Sequence, residues 1–289
     1  MTVLAEIGCD YPTAGLLRPI SAEEKLAYAR DGAAIVRGVI PPDWVAFMRD
    51  AVDRMMGRTD SGAQNYAADG RPRFFAQTFP WRYDETFKAW AVRSPLVEVA
   101  RQVLTDPSVL FFYDQIFAKE PGDTVAVPWH QDFSYLPLQG DQMVRLWVPF
   151  DRVTVASGAI HYLRGSHRWG VTYNPIGFKD IATITDTYVD SPFQDIPDFD
   201  STYDQYDWMI AEAEPGDLLL HHPLTVHGSR GNTTSGYRRA LTNFYVGSST
   251  VWHPHRANMF NNKSLTGHVA PPELRPGGPI LCDMFPVVA

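Results

Sequence analysis

The chain has 289 residues, 33 acidic against 25 basic for a formal net charge of -8, and a hydrophobic share of 45%. That share can fill a substantial core, yet no run approaches the roughly 18 consecutive apolar residues of a membrane helix. No basic face is available to meet a phosphate backbone, so neither nucleic acid nor a membrane is expected as a partner. The opening MTVLAEIGCDYPT lacks the basic, then apolar, then small-residue order of a signal peptide, which makes the cytoplasm the expected location. Cys9 and Cys282 are too few for a disulfide framework and wrongly spaced for a thiolate metal site.

In chain order, the first elements read as helical. Ser21 followed by Glu24 in SAEEKLAYARDG has the form of a capping box, and Gly32 supplies the stop. AAIVRGVI reads as a strand. PPDWVAFMRDAVDRMM then reads as a helix opened by Pro41 or Pro42, with Trp44, Met48, Ala51, Val52 and Met55 on the face toward the core. From about Ser108 the texture changes to short β-prone runs between Gly, Pro and Asp: VLFFYDQIFAK, MVRLWVPF, GAIHYL, DLLLHH and RALTNFYVG. There is no repeat of fixed period, no Gly-rich phosphate loop and no Gly-x-Ser-x-Gly elbow. The expectation is one domain over 1–289, mainly β, with helices packed outside a double-stranded β core.

Residues 180–210 hold eight aspartates and no lysine, arginine or glutamate, which accounts for the whole net charge. The aromatics Tyr188, Phe193, Phe199, Tyr203, Tyr206 and Trp208 favour an acidic lid that packs over a plain insertion.

VPWHQDFSY holds a histidine and an aspartate two positions apart. On a strand, His130 and Asp132 would project from one face while Gln131 points away, a geometry that presents two donors to one metal. An exposed polar face, or a histidine oriented by its neighbouring carboxylate, explains the triplet equally. Nearly a hundred residues later PGDLLLHHPLTVHGSRGN brings His221, His222 and His227. If His227 joins His130 and Asp132, two imidazoles and one carboxylate form a facial triad with positions left open for a co-substrate and dioxygen. The chain has nine histidines, and core or surface roles stand beside that reading. Arg238, in the next element GYRRALTNFYVG, is placed to enter the same pocket and grip a carboxylate bidentately. A metal with open sites beside a carboxylate clamp is what a 2-oxo acid needs; a surface salt bridge is the other reading of Arg238, and of Arg239.

WHQDFSY, RLWVPF, GAIHYLRGSHRWG and PGDLLLHHPLTVHGSRGN followed by YRRAL give the chain a resemblance to the phytanoyl-CoA dioxygenase family of Fe(II)- and 2-oxoglutarate-dependent oxygenases. It extends from the helix and strand near Ser21 to the last strands near Gly247. The resemblance implies a double-stranded β-helix of the cupin and jelly-roll kind, with the site at the barrel mouth. It makes His130, Asp132 and His227 the iron ligands and Arg238 and Ser229 the partners of the distal carboxylate of 2-oxoglutarate. Trp147 and Gln115 match positions lining the cofactor pocket. His221 and His222 match no ligand position and take supporting or core roles, and His167 fixes a loop.

Halogenating relatives carry a small residue in place of the carboxylate, so Asp132 implies O2-dependent hydroxylation with release of succinate and CO2. Desaturation, epoxidation and cyclisation are branches from the same site. The substrate is expected to be a small organic metabolite, apolar or cationic in part, because an acidic chain disfavours the phosphates of a coenzyme A thioester. Phe74, Phe75, Phe133 and Tyr135 are candidate pocket walls. The rival reading is a cupin-like metal protein without oxygenase activity, a binding module or a zinc hydrolase or isomerase, which leaves Arg238 and Ser229 without a task. A monomer or homodimer is expected.

Overall fold

A computed structural model describes residues 7–58, 63–177, 193–262, 266 and 269–289. Helix α1 (Ala22–Asp31) starts at Ser21, whose hydroxyl accepts from Glu24 N while the Glu24 carboxylate accepts from Ser21 N. It stops at Gly32, which takes φ 77°. A side chain at Gly32 would also stand 2.4 Å from both His167 Nδ1 and Thr225 Oγ1, so the turn into the first strand must be bare. Helix α2 (Pro42–Met56) buries Trp44, Met48, Val52 and Met55 as the sequence pattern requires. Two further helices, α3 (Glu85–Arg93) and α4 (Leu96–Val103), flank the Ser94-Pro95 break.

The larger sheet has seven strands: β1 (Ala33–Val36), β2 (Gln64–Asn65), β3 (Phe74–Thr78), β4 (Val109–Lys119), β7 (Met143–Pro149), β10 (Leu218–His221) and β12 (Arg238–Gly247). Their order is β1-β10-β7-β12-β4-β3-β2. The smaller sheet, in the order β5-β11-β8-β9, joins β5 (Val127–His130), β11 (His227–Ser229), β8 (Ile160–Leu163) and β9 (Trp208–Ala211). A short pair, β6 (Leu138–Gln139) with β13 (Val251–Trp252), completes the set, and every named pairing is antiparallel. This is a jelly-roll arrangement of two facing sheets with helices against one of them.

Strand alternation divides the larger sheet into two chemistries. Val144, Leu146, Val148, Leu218, Leu220 and Leu241 point outward into the core shared with α2, α3 and α4. Their neighbours Arg145, Trp147, His221 and Thr242 point inward, where they line a pocket. An inward face this polar is costly to bury unless its groups are paired or bind something.

The described part of the acidic segment does not lie over that pocket. Phe199 is buried beside Leu163, Tyr173 and Val226, Tyr203 stacks on Trp208 at 4.9 Å, and Trp208 meets Trp129 at 4.4 Å, all on the outer face of the smaller sheet. The lid expected over 180–210 is corrected for Phe199, Tyr203, Tyr206 and Trp208, which form a strap behind the barrel, while Phe193 packs on His255 with ring centroids 5.1 Å apart; residues 180–192 lie outside the described residues. Among the described residues no helix is long and apolar enough to cross a membrane.

Candidate metal centre

His130 ends β5 and His227 begins β11, and the two are cross-strand partners with ring centroids 4.2 Å apart. His130 Nδ1 lies 2.8 Å from the Pro128 carbonyl and His227 Nδ1 2.9 Å from the Thr225 carbonyl. A carbonyl only accepts, so each Nδ1 carries the proton and each Nε2 presents a lone pair. Asp132 supplies Oδ1 at 3.5 Å from His130 Nε2 and Oδ2 at 3.9 Å from His227 Nε2. Among the described residues, the ligand atoms of these three lie within 4.8 Å of one another. Neutral imidazoles and one carboxylate, converging and buried, suit a divalent transition metal.

The strand alternation expected for His130 and Asp132 is corrected. The strand ends at His130, and Asp132 adopts φ -67°, ψ -31° ahead of the 3-10 turn Phe133–Tyr135. A turn brings the carboxylate back to the histidine. Gln131 holds that turn in place, donating to the Val171 and Leu224 carbonyls and accepting from Tyr173 N. Gly228 permits the close approach of β5 to β11, since a Cβ there would sit 2.8 Å from the Trp129 ring and 2.9 Å from the Val127 carbonyl.

Arg145, which the sequence did not single out, and His221, expected in a supporting or core role, complete the surroundings of Asp132. Arg145 Nη1 lies 2.8 Å from Oδ1, and His221 Nε2 lies 2.9 Å from Oδ2. His221 Nδ1 accepts from the Tyr162 hydroxyl at 3.1 Å, forming a buried chain from tyrosine to carboxylate. Burial by itself would drive the Asp132 carboxyl up, but the charge of the Arg145 guanidinium, with the hydrogen bond from His221, holds it well below the usual carboxylate range. Burial and the neighbouring His130 hold His227 well below the usual imidazole range, which keeps it neutral and able to coordinate.

Arg238, the first residue of β12, is buried and lines the same pocket, with its guanidinium 5.7 Å from the Trp147 ring. Its one hydrogen bond among the described residues is a long one, Nη1 to the Phe117 carbonyl at 3.5 Å, and its Nε is buried without a partner. Burial pulls it down to about 10, so it stays charged at neutral pH. Ser229 and Gln115 also line the pocket, but Gln115 Oε1 is taken up by Arg145 Nη2 at 3.0 Å. An unmet, charged guanidinium beside a serine is what a carboxylate would complete.

Lys119, the cross-strand partner of Arg238, is fully buried, with its ammonium 3.4 Å from Asp123 and 4.1 Å from the centre of the Phe74 ring. It also donates to the Val125 carbonyl. Burial, then the charge of Arg238, pull it down to about 7. The charged form is therefore costly in the folded state below pH 7, and the cost fades as the pH rises toward the ordinary 10.5. The stability of the parent relative to Lys119→Met is expected to rise by about 1.4 kcal/mol per pH unit across that window. Urea melts of both proteins at about pH 6.5 and about pH 9 check this; a difference independent of pH would show that Lys119 titrates normally.

Of the candidate pocket walls, Phe74 and Tyr135 line the cavity. Phe75 is corrected: it sits on the opposite face of β3, in the core beneath the helices. Phe133 is corrected too, since it does not line the cavity and packs against the apolar cluster that includes Leu136, Trp252 and Phe285. Both errors follow from adjacency, because neighbours on a strand or a turn face different ways. Tyr113, Phe117 and Met259 line the pocket without having been singled out. His222 faces away from the centre: its ring accepts from Leu224 N and lies 5.6 Å from His167. His167 bonds the Ala29 carbonyl and so ties its loop to the end of α1.

The family model for phytanoyl-CoA dioxygenase (PhyH) matches residues 28–240. A probable phytanoyl-CoA dioxygenase of Caenorhabditis elegans is 24% identical over 255 residues, covering 82% of this chain and 78% of that protein. Among solved structures, the epimerase SnoN in complex with Fe3+, alpha ketoglutarate and nogalamycin RO matches with a TM-score of 0.72 at 20% identity, over 92% of this chain and 98% of its own. The non-heme alpha ketoglutarate dependent carbocyclase SnoK, from nogalamycin biosynthesis, matches with a TM-score of 0.71 at 20% identity, over 93% of this chain and 96% of its own. At such identities these two structures share the double-stranded β-helix fold with this chain.

Proposed function

We propose that this chain, which belongs to the phytanoyl-CoA dioxygenase family, is an Fe(II)- and 2-oxoglutarate-dependent oxygenase that hydroxylates a carbon of a small organic metabolite. The observation that carries the reading is Arg238. A buried guanidinium with an unmet Nε, in one pocket with two histidines and an aspartate, has no task in a bare metal protein. Toward a dicarboxylic 2-oxo acid it has one.

In this reading His130 and His227 present Nε2 to iron, each imidazole locked by its Nδ1 bond to a carbonyl, and Asp132 adds the third donor and a negative charge. Arg238 and Ser229 hold the distal carboxylate of 2-oxoglutarate, which fixes the direction in which the keto acid end points. Iron and 2-oxoglutarate bound there supply dioxygen activation, with the co-substrate leaving as succinate and CO2. The chain's further work is positional: Phe74, Phe117, Tyr135, Trp147 and Met259 exclude water and hold a substrate C–H bond toward the centre.

The pocket is partly open to solvent. Its aromatic walls favour an apolar body, and the guanidiniums of Arg145 and Arg238 make a cationic substrate the poorer match. Two proteins of the same fold are described as an epimerase and a carbocyclase, so the identity of the product has to be read directly.

The test is spectroscopic first. Anaerobic Fe(II) with 2-oxoglutarate is expected to give a visible charge-transfer band, and a metabolite screen scored by succinate release then finds the substrate. Absence of the band, with purified protein that retains zinc and has no affinity for 2-oxoglutarate, would leave the non-oxygenase metal protein as the answer.

A further inference from the structure

The candidate centre carries a buried positive charge of its own. Arg145 reaches the pocket from the inner face of β7 and is almost fully enclosed. Nη1 meets Asp132 Oδ1 at 2.8 Å and the Tyr113 hydroxyl at 2.8 Å, and Nη2 meets Gln115 Oε1 and Thr242 Oγ1 at 3.0 Å each. Four partners, two on β4, one on β12 and one in the turn after β5, fix the guanidinium where it is.

We propose that Arg145 sets the charge balance of the centre, weakening Fe(II) binding by the apoprotein and strengthening capture of 2-oxoglutarate once iron is present. The inference rests on the oxygenase reading above. Without Arg145 the donor set of two neutral imidazoles and one carboxylate would carry a formal charge of about -1; with it the sum is about zero. A divalent ion bound by Asp132 becomes the neighbour of a cation that shares its carboxylate, and that repulsion raises the cost of binding iron alone. An incoming dianion meets the opposite sign. Arg145 thus favours iron and co-substrate arriving as a pair, and disfavours iron held idle.

A competing effect has the reverse sign for iron. Arg145 also orients Asp132, and losing an orienting partner ordinarily costs a metal site roughly 10- to 100-fold in affinity. His221 limits that loss, since its 2.9 Å bond to Oδ2 remains. Repulsion between a divalent ion and a guanidinium bonded to the same carboxylate outweighs the remainder at an effective dielectric of about 20. The two affinities are therefore expected to move in opposite directions when the charge alone is removed.

Arg145→Gln keeps a donor for Asp132 and deletes the charge. It is expected to bind Fe(II) roughly tenfold more tightly without 2-oxoglutarate, and to bind 2-oxoglutarate at least about tenfold more weakly at saturating Fe(II). The first is read by anaerobic equilibrium dialysis and the second by titration of the visible band, so neither depends on turnover. Arg145→Met is a second neutral variant should the glutamine fail to fold, and Arg145→Lys, which keeps the charge, is expected to stay within about threefold of the parent in both. A fall in both affinities in the neutral variants, or an unchanged 2-oxoglutarate affinity, overturns the charge-balance role and leaves Arg145 as a structural anchor. If the parent itself gives no iron-dependent band, the oxygenase reading has failed and this inference falls with it.

Discussion

His227→Ala is expected to lose Fe(II) retention and 2-oxoglutarate-dependent turnover by roughly a hundredfold or more, while His222→Ala keeps both. The two residues sit five apart in one histidine-rich stretch, yet the fold gives them unrelated surroundings. His227 opposes His130 across a strand pair, with its Nδ1 on the Thr225 carbonyl and its Nε2 toward Asp132. Removing it takes away one donor of three, and no described neighbour is placed to replace it: His221 is already held between Asp132 and Tyr162. His222 packs against His167 with its backbone bonded to Gly32, and burial pushes it down to about 4, so it is neutral at ordinary pH. Its loss is expected to cost packing, on the order of 1 kcal/mol of stability, and no iron. Iron content after anaerobic reconstitution and succinate release check the pair; a reversed ranking would remove His227 from the centre.

Arg238→Ala is expected to retain Fe(II) but to need far more 2-oxoglutarate, a loss on the order of 2 to 5 kcal/mol in co-substrate binding. The size follows from burial: a carboxylate docked against an enclosed guanidinium loses its whole counter-charge when that group is deleted. Arg238→Lys is expected to recover only part, because an ammonium cannot reproduce the planar fork. Arg239→Ala is the internal control. Arg239 faces the other side of the strand, bonded to Asp151 at 2.8 Å and Asp53 at 2.6 Å, so its loss is expected to lower stability by about 1 kcal/mol and leave the co-substrate requirement unchanged. Saturation curves for 2-oxoglutarate in the three variants decide it. Equal effects from Arg238→Ala and Arg239→Ala would dissolve the assignment.

The parts of the fold that were legible are those where local chemistry and global packing agree. Ser21, Glu24 and Gly32 bound the first helix, and the apolar stripe of PPDWVAFMRDAVDRMM is the buried face of the second. The long strands of the larger sheet appear where β-prone runs were read. Helices α3 and α4 were not, because each is short and the Ser94-Pro95 break interrupts their periodicity. The triad was named through the family resemblance, since residue types alone left three histidines of one stretch open, and the reason first given for its geometry was wrong. Asp132 turns back at the end of a strand, and nothing in the triplet separates that turn from a continued strand. Arg145 was within reach, since alternation along RLWVPF places it on the same face as Trp147; what the sequence does not carry is that Asp132 waits there. The aromatic residues after position 193 were read as a lid because their composition says only that they pack, not against which face.

The smaller sheet has no idle face. Its inner side presents His130 and His227, while its outer side is occupied by Trp129, His161 and the strap of Tyr203 and Trp208, with Gly228 admitting no side chain between the two. A substitution at His130 or His227 therefore removes a candidate donor, and one at Trp129 or His161 disturbs the stack behind them. The larger sheet is different: Phe74 and Phe117 face the pocket, as does Met259 from the far end of the chain, and none of them holds a donor in place. Retargeting the enzyme is then a matter of redrawing one wall. A library confined to Phe74, Phe117 and Met259 can change what is accepted while the iron-holding half stays untouched, whereas a library of equal size spread over β5 and β11 spends most of its members on proteins that bind no metal.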